Sequence, residues 1–218
     1  MKISLILKQS RRGRGFRNRA GFSLVEILVV LAIIGVLSSV SLPAFLKIQK
    51  RSKLNRSTEM IFDQIRLART EAASLNRTVA FLLIEPQANA GEGKAYTQIQ
   101  RFYETDLEPG ALTPQYKPST KRINLAEGIV IHSSPEWSNL LKEEGTSRGE
   151  FVRSGEKYRS ILIYPSGKTS LNDDNSEEGV SGFFITLVYQ EEIDKKEPAV
   201  FVTITIDPKT ALPKVWKK

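Results

Sequence analysis

Gly21-Phe22-Ser23-Leu24-Val25-Glu26-Ile27-Leu28-Val29-Val30-Leu31 opens an apolar run that continues to Val40. The nineteen residues from Phe22 to Val40 are Leu, Val, Ile, Ala, Gly, Ser and Phe, with Glu26 the one charge among them. At about 1.5 Å of rise per residue, such a run spans about 28 Å as a helix, close to the hydrocarbon thickness of a bilayer. An ionised carboxylate in that solvent costs at least roughly 2.5 kcal/mol, so its presence marks a functional site. The competing reading is a buried helix of a soluble protein with one satisfied glutamate. Length, flanks and the position of the Glu favour the membrane segment.

The bulk numbers narrow the class. A chain of 218 residues allows one or two domains, and about 170 residues beyond the apolar run can bury a real core without staples. There is no cysteine, which excludes disulfides, thiolate metal sites and thiol nucleophiles. The formal net charge of +8 suggests nucleic acid until it is divided along the chain. Lys2, Lys8, Arg11, Arg12, Arg14, Arg17 and Arg19 precede the run with no acid among them, which leaves 25 basic against 24 acidic residues from Phe22 onward. The basicity belongs to a leader, where it keeps that end cytoplasmic. An ordinary secretory signal fits less well. Its apolar stretch would be shorter, and Ser38-Ser39-Val40-Ser41 is the nearest approach to an Ala-x-Ala-like cleavage site.

The hexapeptide Gly21 to Glu26 with its hydrophobic continuation resembles the processing and assembly signal of type IV pilins and type II secretion pseudopilins. Pro43 stands where many of these proteins carry a helix-bending proline. The resemblance covers about 25 residues. It implies a prepilin: a membrane aspartyl prepilin peptidase would cut between Gly21 and Phe22 and methylate the new amine of Phe22. Glu26 would then serve assembly, its carboxylate compensating the Phe22 amine of a neighbouring subunit. A lone carboxylate is expensive in lipid, whereas a pair that forms only on assembly favours extraction of the monomer. The implied partners are prepilin peptidase, other pilin or pseudopilin subunits, the inner-membrane assembly platform and membrane lipid. The resemblance implies no cofactor and no enzymatic activity. It implies a single pass through the bacterial inner membrane, leader cytoplasmic and head periplasmic, before entry into a filament. At 21 residues the leader is long for the pattern, which leaves the start codon open but not the cleavage site.

Further matches are with one subgroup. Leu67 to Ala73, Ile161 to Gly167 and Ile204-Thr205-Ile206-Asp207-Pro208 with its basic continuation resemble the pseudopilin H and FimT group of minor pilins. The spacing is also similar to the pilin-like cassette protein D of verrucomicrobial gene clusters. Where FimT carries Gly-Arg-x-Arg after its last strand, this chain has Ala211-Leu212-Pro213-Lys214-Val215, a departure that weakens transfer of a DNA-uptake role.

The spacing of apolar residues predicts four segments: a basic leader over 1–21, a transmembrane helix half over 22–42, an amphipathic helix half over 43–76 and a β-rich head over 77–218. Leu54, Thr58, Ile61, Ile65, Ala68, Ala72 and Leu75 recur at steps of three and four, with Arg56, Asp63, Arg66 and Arg77 off that stripe. Pro43 predicts a bend at the membrane exit, and Asn76 the helix terminus. Strands are expected at Val79 to Ile84, Tyr96 to Tyr103, Gly128 to His132, Ser160 to Tyr164 and Phe183 to Tyr189. Another should place Val200, Val202, Ile204 and Ile206 inward and Phe201, Thr203 and Thr205 opposite. Glu85 to Lys94, Glu108 to Thr120, Ser138 to Ser154 and Leu171 to Gly182 read as turns. One long helix followed by strands is an α+β domain, a sheet packed on the helix stripe.

Constellations for catalysis are thin. His132 is the one histidine, so no histidine triad or multi-histidine metal site can form, and a structural role on a strand suits it better. Gly167-Lys168-Thr169 imitates the end of a phosphate-binding loop, but Leu162 stands where the first glycine is needed, and a turn after Tyr164-Pro165 explains it better. Asp173, Asn175 and Glu177 alternate oxygen ligands as a calcium loop does, yet Glu178 takes the glycine position, so a solvated acidic loop is the default. Lys214, Trp216, Lys217 and Lys218 could contact phosphates and stack on a base; an edge strand guarded by lysines is the preferred reading. The expectation is therefore a minor pilin or pseudopilin subunit of a type IV pilus or type II secretion pseudopilus. The alternative is a competence-type pilin whose head binds DNA.

Overall fold

In the computed structural model, the described residues are 23–86, 95–107, 115–141, 146–150, 155–171 and 183–217. One helix, α1 (Leu24–Leu75), runs without interruption through position 43. The chain divides into two compact units, Met1–Leu46 and Lys47–Lys218.

In the first unit, α1 is apolar all round and its large side chains from Leu24 to Leu46 are exposed. A helix that is apolar on every face belongs either inside a large core or in lipid, and the described side chains of its most apolar stretch are not buried.

In the second unit the pattern changes. Leu54, Thr58, Ile61, Ile65, Ala68 and Ala72 are buried along one stripe, while Arg56, Asp63 and Arg66 face water. Leu75, expected on the stripe, is 47% exposed. The helix stops there: Asn76 takes a left-handed conformation with φ of 50°, and the Arg77 amide donates to the Ala72 carbonyl at 3.2 Å. That six-to-one bond turns the chain away before Leu75 can reach the sheet.

Ten strands follow. They are β1 (Val79–Glu85), β2 (Gln98–Glu104), β3 (Tyr116–Pro118), β4 (Ile123–Asn124) and β5 (Ile129–Ile131). Then come β6 (Ser147–Glu150), β7 (Lys157–Ile163), β8 (Phe183–Tyr189), β9 (Phe201–Ile206) and β10 (Pro213–Lys217). They form two antiparallel sheets, one ordered β3-β2-β1-β7-β6 with β4 also on β2, the other ordered β10-β9-β8-β5. The result is α+β, as the single helix before many strands requires.

The central strand β1 is buried on both faces. Val79, Phe81 and Leu83 join the helix stripe and the second sheet in one core, while Ala80, Leu82 and Ile84 pack with Phe102, Tyr116, Tyr158 and Leu162 on the other side. On β9 the expected alternation holds: Val202, Ile204 and Ile206 are buried, with Phe201, Thr203 and Thr205 half-buried opposite. One ion pair ties helix to sheet inside this core. Glu71 meets the Arg101 guanidinium at 3.2 Å, both side chains mostly buried, and the Ser119 hydroxyl donates to the same carboxylate.

Three strands depart from expectation, while β10 is the lysine-bearing edge strand preferred for the C-terminal stretch. β3 lies in a stretch read as turn, β6 in another, and β4 stands outside every expected strand. β3 and β4 are three and two residues long, too short to display an alternation. The strand at 129–131 ends one residue before His132.

Ile61 is fully buried in the shared core. Ile61→Ala should therefore lower stability by about 2–5 kcal/mol, whereas Leu75→Ala should change it by less than about 0.5 kcal/mol. Denaturant unfolding of the detergent-solubilised full chain measures both; equal losses would mean the stripe is misplaced.

Candidate assembly site

The start of α1 is set locally. The Ser23 carbonyl accepts the amides of Glu26 at 3.0 Å and Ile27 at 3.2 Å. Ser23 thus occupies the N-cap and Glu26 the third helical position, the Ser-x-x-Glu spacing of a capping box. The apolar run alone does not reveal this signal; the pair of polar residues at its head does. An anion in the first helical turn is favoured by the aligned peptide dipoles. Glu26 is exposed, and between Ser23 and Leu46 the sequence holds no lysine, arginine or histidine. A cationic partner for this carboxylate cannot come from that half of its own helix. Gly21 and Phe22, the cleavage and methylation residues, lie outside the described residues, as do the calcium candidates Asp173, Asn175 and Glu177. Among the described residues, α1 is the one helix long and apolar enough to cross a membrane, and no cluster of three or more His, Asp or Glu could hold a metal ion.

The other sequence candidates fall into ordinary structure. Tyr164 to Lys168 form a tight turn: the Gly167 amide donates to the Tyr164 carbonyl and the Tyr164 amide to that of Lys168, both at 2.8 Å. Gly167 has φ of 83°, a conformation that glycine adopts without strain. Lys214, Trp216 and Lys217 lie on β10, the edge strand of the second sheet, and Lys218 is outside the described residues. Trp216 is 62% exposed, and its indole N–H donates to Thr205 Oγ1 at 3.3 Å. The proline opening β10 suits an edge, where a missing amide is tolerated.

His132 is buried among Trp137 and the β8 backbone. Its Nδ1 accepts the Ser134 amide at 3.1 Å, and Nε2 has no hydrogen-bond partner among the described residues. Next to it, Ser138 Oγ and Asn139 Oδ1 accept the amides of Thr186 and Phe184, covering the edge of β8 that β5 leaves unpaired. Sequence reasoning missed this cover because its ligands sit in a turn without periodicity.

Comparison with known proteins bears on the same N-terminal end. Residues 16–42 match the prokaryotic N-terminal methylation motif. A stretch of 37 residues, 17% of this chain, is 54% identical to the type IV major pilin protein PilA of Myxococcus xanthus (strain DK1622). The match spans 16% of that protein's length. No solved structure matches the chain. By the motif and this relative, the N-terminal end of the chain is similar to that of type IV pilins. Glu26 and the first five turns of α1 lie inside the matched motif; the sheets lie beyond it.

Burial of His132 lowers its affinity for a proton, with Asp194 opposing weakly. Because the unfolded chain then binds the proton first, stability is full above about pH 6.5 and falls as the pH drops below it. His132→Gln should flatten that acid limb. Thermal melts between neutral and mildly acidic pH test this, and an unchanged acid limb in the variant would assign the sensitivity to another group.

Proposed function

We propose that this chain is a minor pilin or pseudopilin subunit, a structural part rather than an enzyme, made as a prepilin and built into a filament. One observation carries the reading: Glu26 stands in the first turn of a helix that is apolar and exposed on every side, within the methylation motif. Prepilin peptidase cuts after Gly21 and methylates Phe22. The new terminal amine of one subunit then neutralises Glu26 of another, so that the cost of the carboxylate in lipid is relieved by assembly. Residues 22–42 cross the inner membrane with the basic leader cytoplasmic. Pro43 supplies no amide to the carbonyl four residues back, and the helix bends there on leaving the lipid. The sheets form a periplasmic head that faces outward in a type IV pilus or type II secretion pseudopilus.

Mass spectrometry of membrane-extracted protein should show an N-terminal, methylated Phe22. Glu26→Ala should leave that cleavage intact and abolish incorporation into sheared filaments. Normal incorporation of the variant, or an uncut N-terminus in the parent, would overturn the scheme.

A second reading, a competence-type pilin, draws on exposed Trp216 flanked by Lys214 and Lys217 on a sheet edge. An aromatic face among cations suits nucleic acid. It requires salt-dependent retention of DNA by the full chain that is lost in Lys214→Ala/Lys217→Ala/Lys218→Ala. Equal retention by parent and variant would remove it.

A further inference from the structure

The stretch where α1 leaves its apolar run is strongly basic. Lys47, Lys50, Arg51, Lys53 and Arg56 fall within ten residues, and no acid occurs between Glu26 and Glu59. Lys47, Arg51, Leu54 and Thr58 follow one another at steps of four, three and four, so they share one helix face. Higher up, that face is the buried stripe of Ile61 and Ile65. The same side of the helix that packs on the sheets is therefore cationic below them.

The head answers only part of this charge. Lys50 Nζ reaches Glu191 at 2.7 Å and Lys53 reaches Glu127 at 3.6 Å, both exposed pairs. With Tyr189 they line an open cavity of about 520 Å³. Exposed pairs of this kind hold their partners weakly. The side chains of Lys47, Arg51 and Arg56 are exposed and make no hydrogen bond or ion pair among the described residues.

We propose that Lys47, Arg51 and Arg56, with Lys50 and Lys53 beside them, dock on the phosphates of anionic phospholipids before the subunit enters a filament. The proposal rests on the membrane reading above. Lys47 directly follows exposed Phe45 and Leu46, so a helix at about 1.5 Å per residue keeps Lys47 to Arg51 within the headgroup layer, roughly 5–8 Å deep on each side of the hydrocarbon. Ile48 among them is 65% exposed, an apolar side chain suited to the same boundary. Cations at that level attract anionic lipid, each shifting the docked population about fivefold, and salt weakens the effect within a Debye length. Lipid phosphate holds the segment against the bilayer while the leader is removed; release requires the anionic surface to be exchanged for other subunits. The docked segment thereby fixes the depth of the helix, and with it the depth at which Glu26 waits.

The absence of cysteine makes the test clean. A nitroxide on Ser52→Cys, in the full chain reconstituted singly in nanodiscs, reports immobilisation of the segment. Discs containing phosphatidylglycerol should raise the ratio of immobilised to mobile label at least about fivefold over discs of phosphatidylcholine alone. High salt and the Lys47→Gln/Arg51→Gln/Arg56→Gln variant should each remove the gain, while Lys117→Gln/Lys121→Gln should keep it. Inorganic phosphate added to phosphatidylcholine discs should not reproduce it. A lipid-independent signal, a gain that survives the triple variant, or one seen only with several chains per disc would overturn the proposal. Failure of the chain to enter discs at all would instead overturn the membrane reading.

Discussion

A single helix has to satisfy two solvents, and the rest of the molecule follows from where it changes over. From Leu24 to Leu46 its large apolar side chains are exposed on every face. From Leu54 to Ala72 one stripe alone is apolar, and that stripe is buried against both sheets. Lipid asks nothing of periodicity because it surrounds the helix; a sheet contacts one side and rejects charge there. The change from uniform to periodic hydrophobicity is thus the physical border between the two units of the chain. The second unit opens on the basic stretch from Lys47 to Arg56, too charged for hydrocarbon.

The head's core depends on the helix in return. Val79, Phe81 and Leu83 of β1, Ile185 and Leu187 of β8, and Val202, Ile204 and Ile206 of β9 meet the helix stripe in one cluster. Neither sheet closes on itself, so each relies on α1 to cover apolar surface, and the mostly buried Glu71–Arg101 pair fixes how the helix sits across β2. Such a pair contributes little net stability, but breaking one side of it leaves an uncompensated charge. Its consequence is orientation. A helix that slid along the sheet would separate Glu71 from Arg101.

The sequence made some of this legible and hid the rest for identifiable reasons. The helix stripe and β9 announced themselves by a regular period, β1 and β8 by short apolar runs, and Phe183 to Tyr189 coincides with β8 at both ends. β3 and β4 are shorter than a period needs, whereas the lysines of β10 marked it as an edge strand. Leu75 fit the spacing and failed in space because the turn at Asn76 begins beneath it. At the assembly site, Glu26 was plain from charge alone. Its place in a Ser-x-x-Glu cap was written in the residues but overshadowed by the apolar run that follows.

The position of Glu26 bounds where its partner can come from. At the third helical position its carboxylate gains from the peptide dipoles, an effect of about 0.3–1 kcal/mol. That falls short of the cost of at least roughly 2.5 kcal/mol for an acid at the centre of a bilayer helix. The deficit requires a cation or a retreat to water. The helix from Ser23 to Leu46 offers no cation, and the nearest described one toward the head is Lys47, twenty-one residues along the chain from Glu26. Retreat to water is open to a first turn that lies at the membrane surface, but not to one drawn into lipid. There the acid is costly unless a positive group on another chain lies at the same depth.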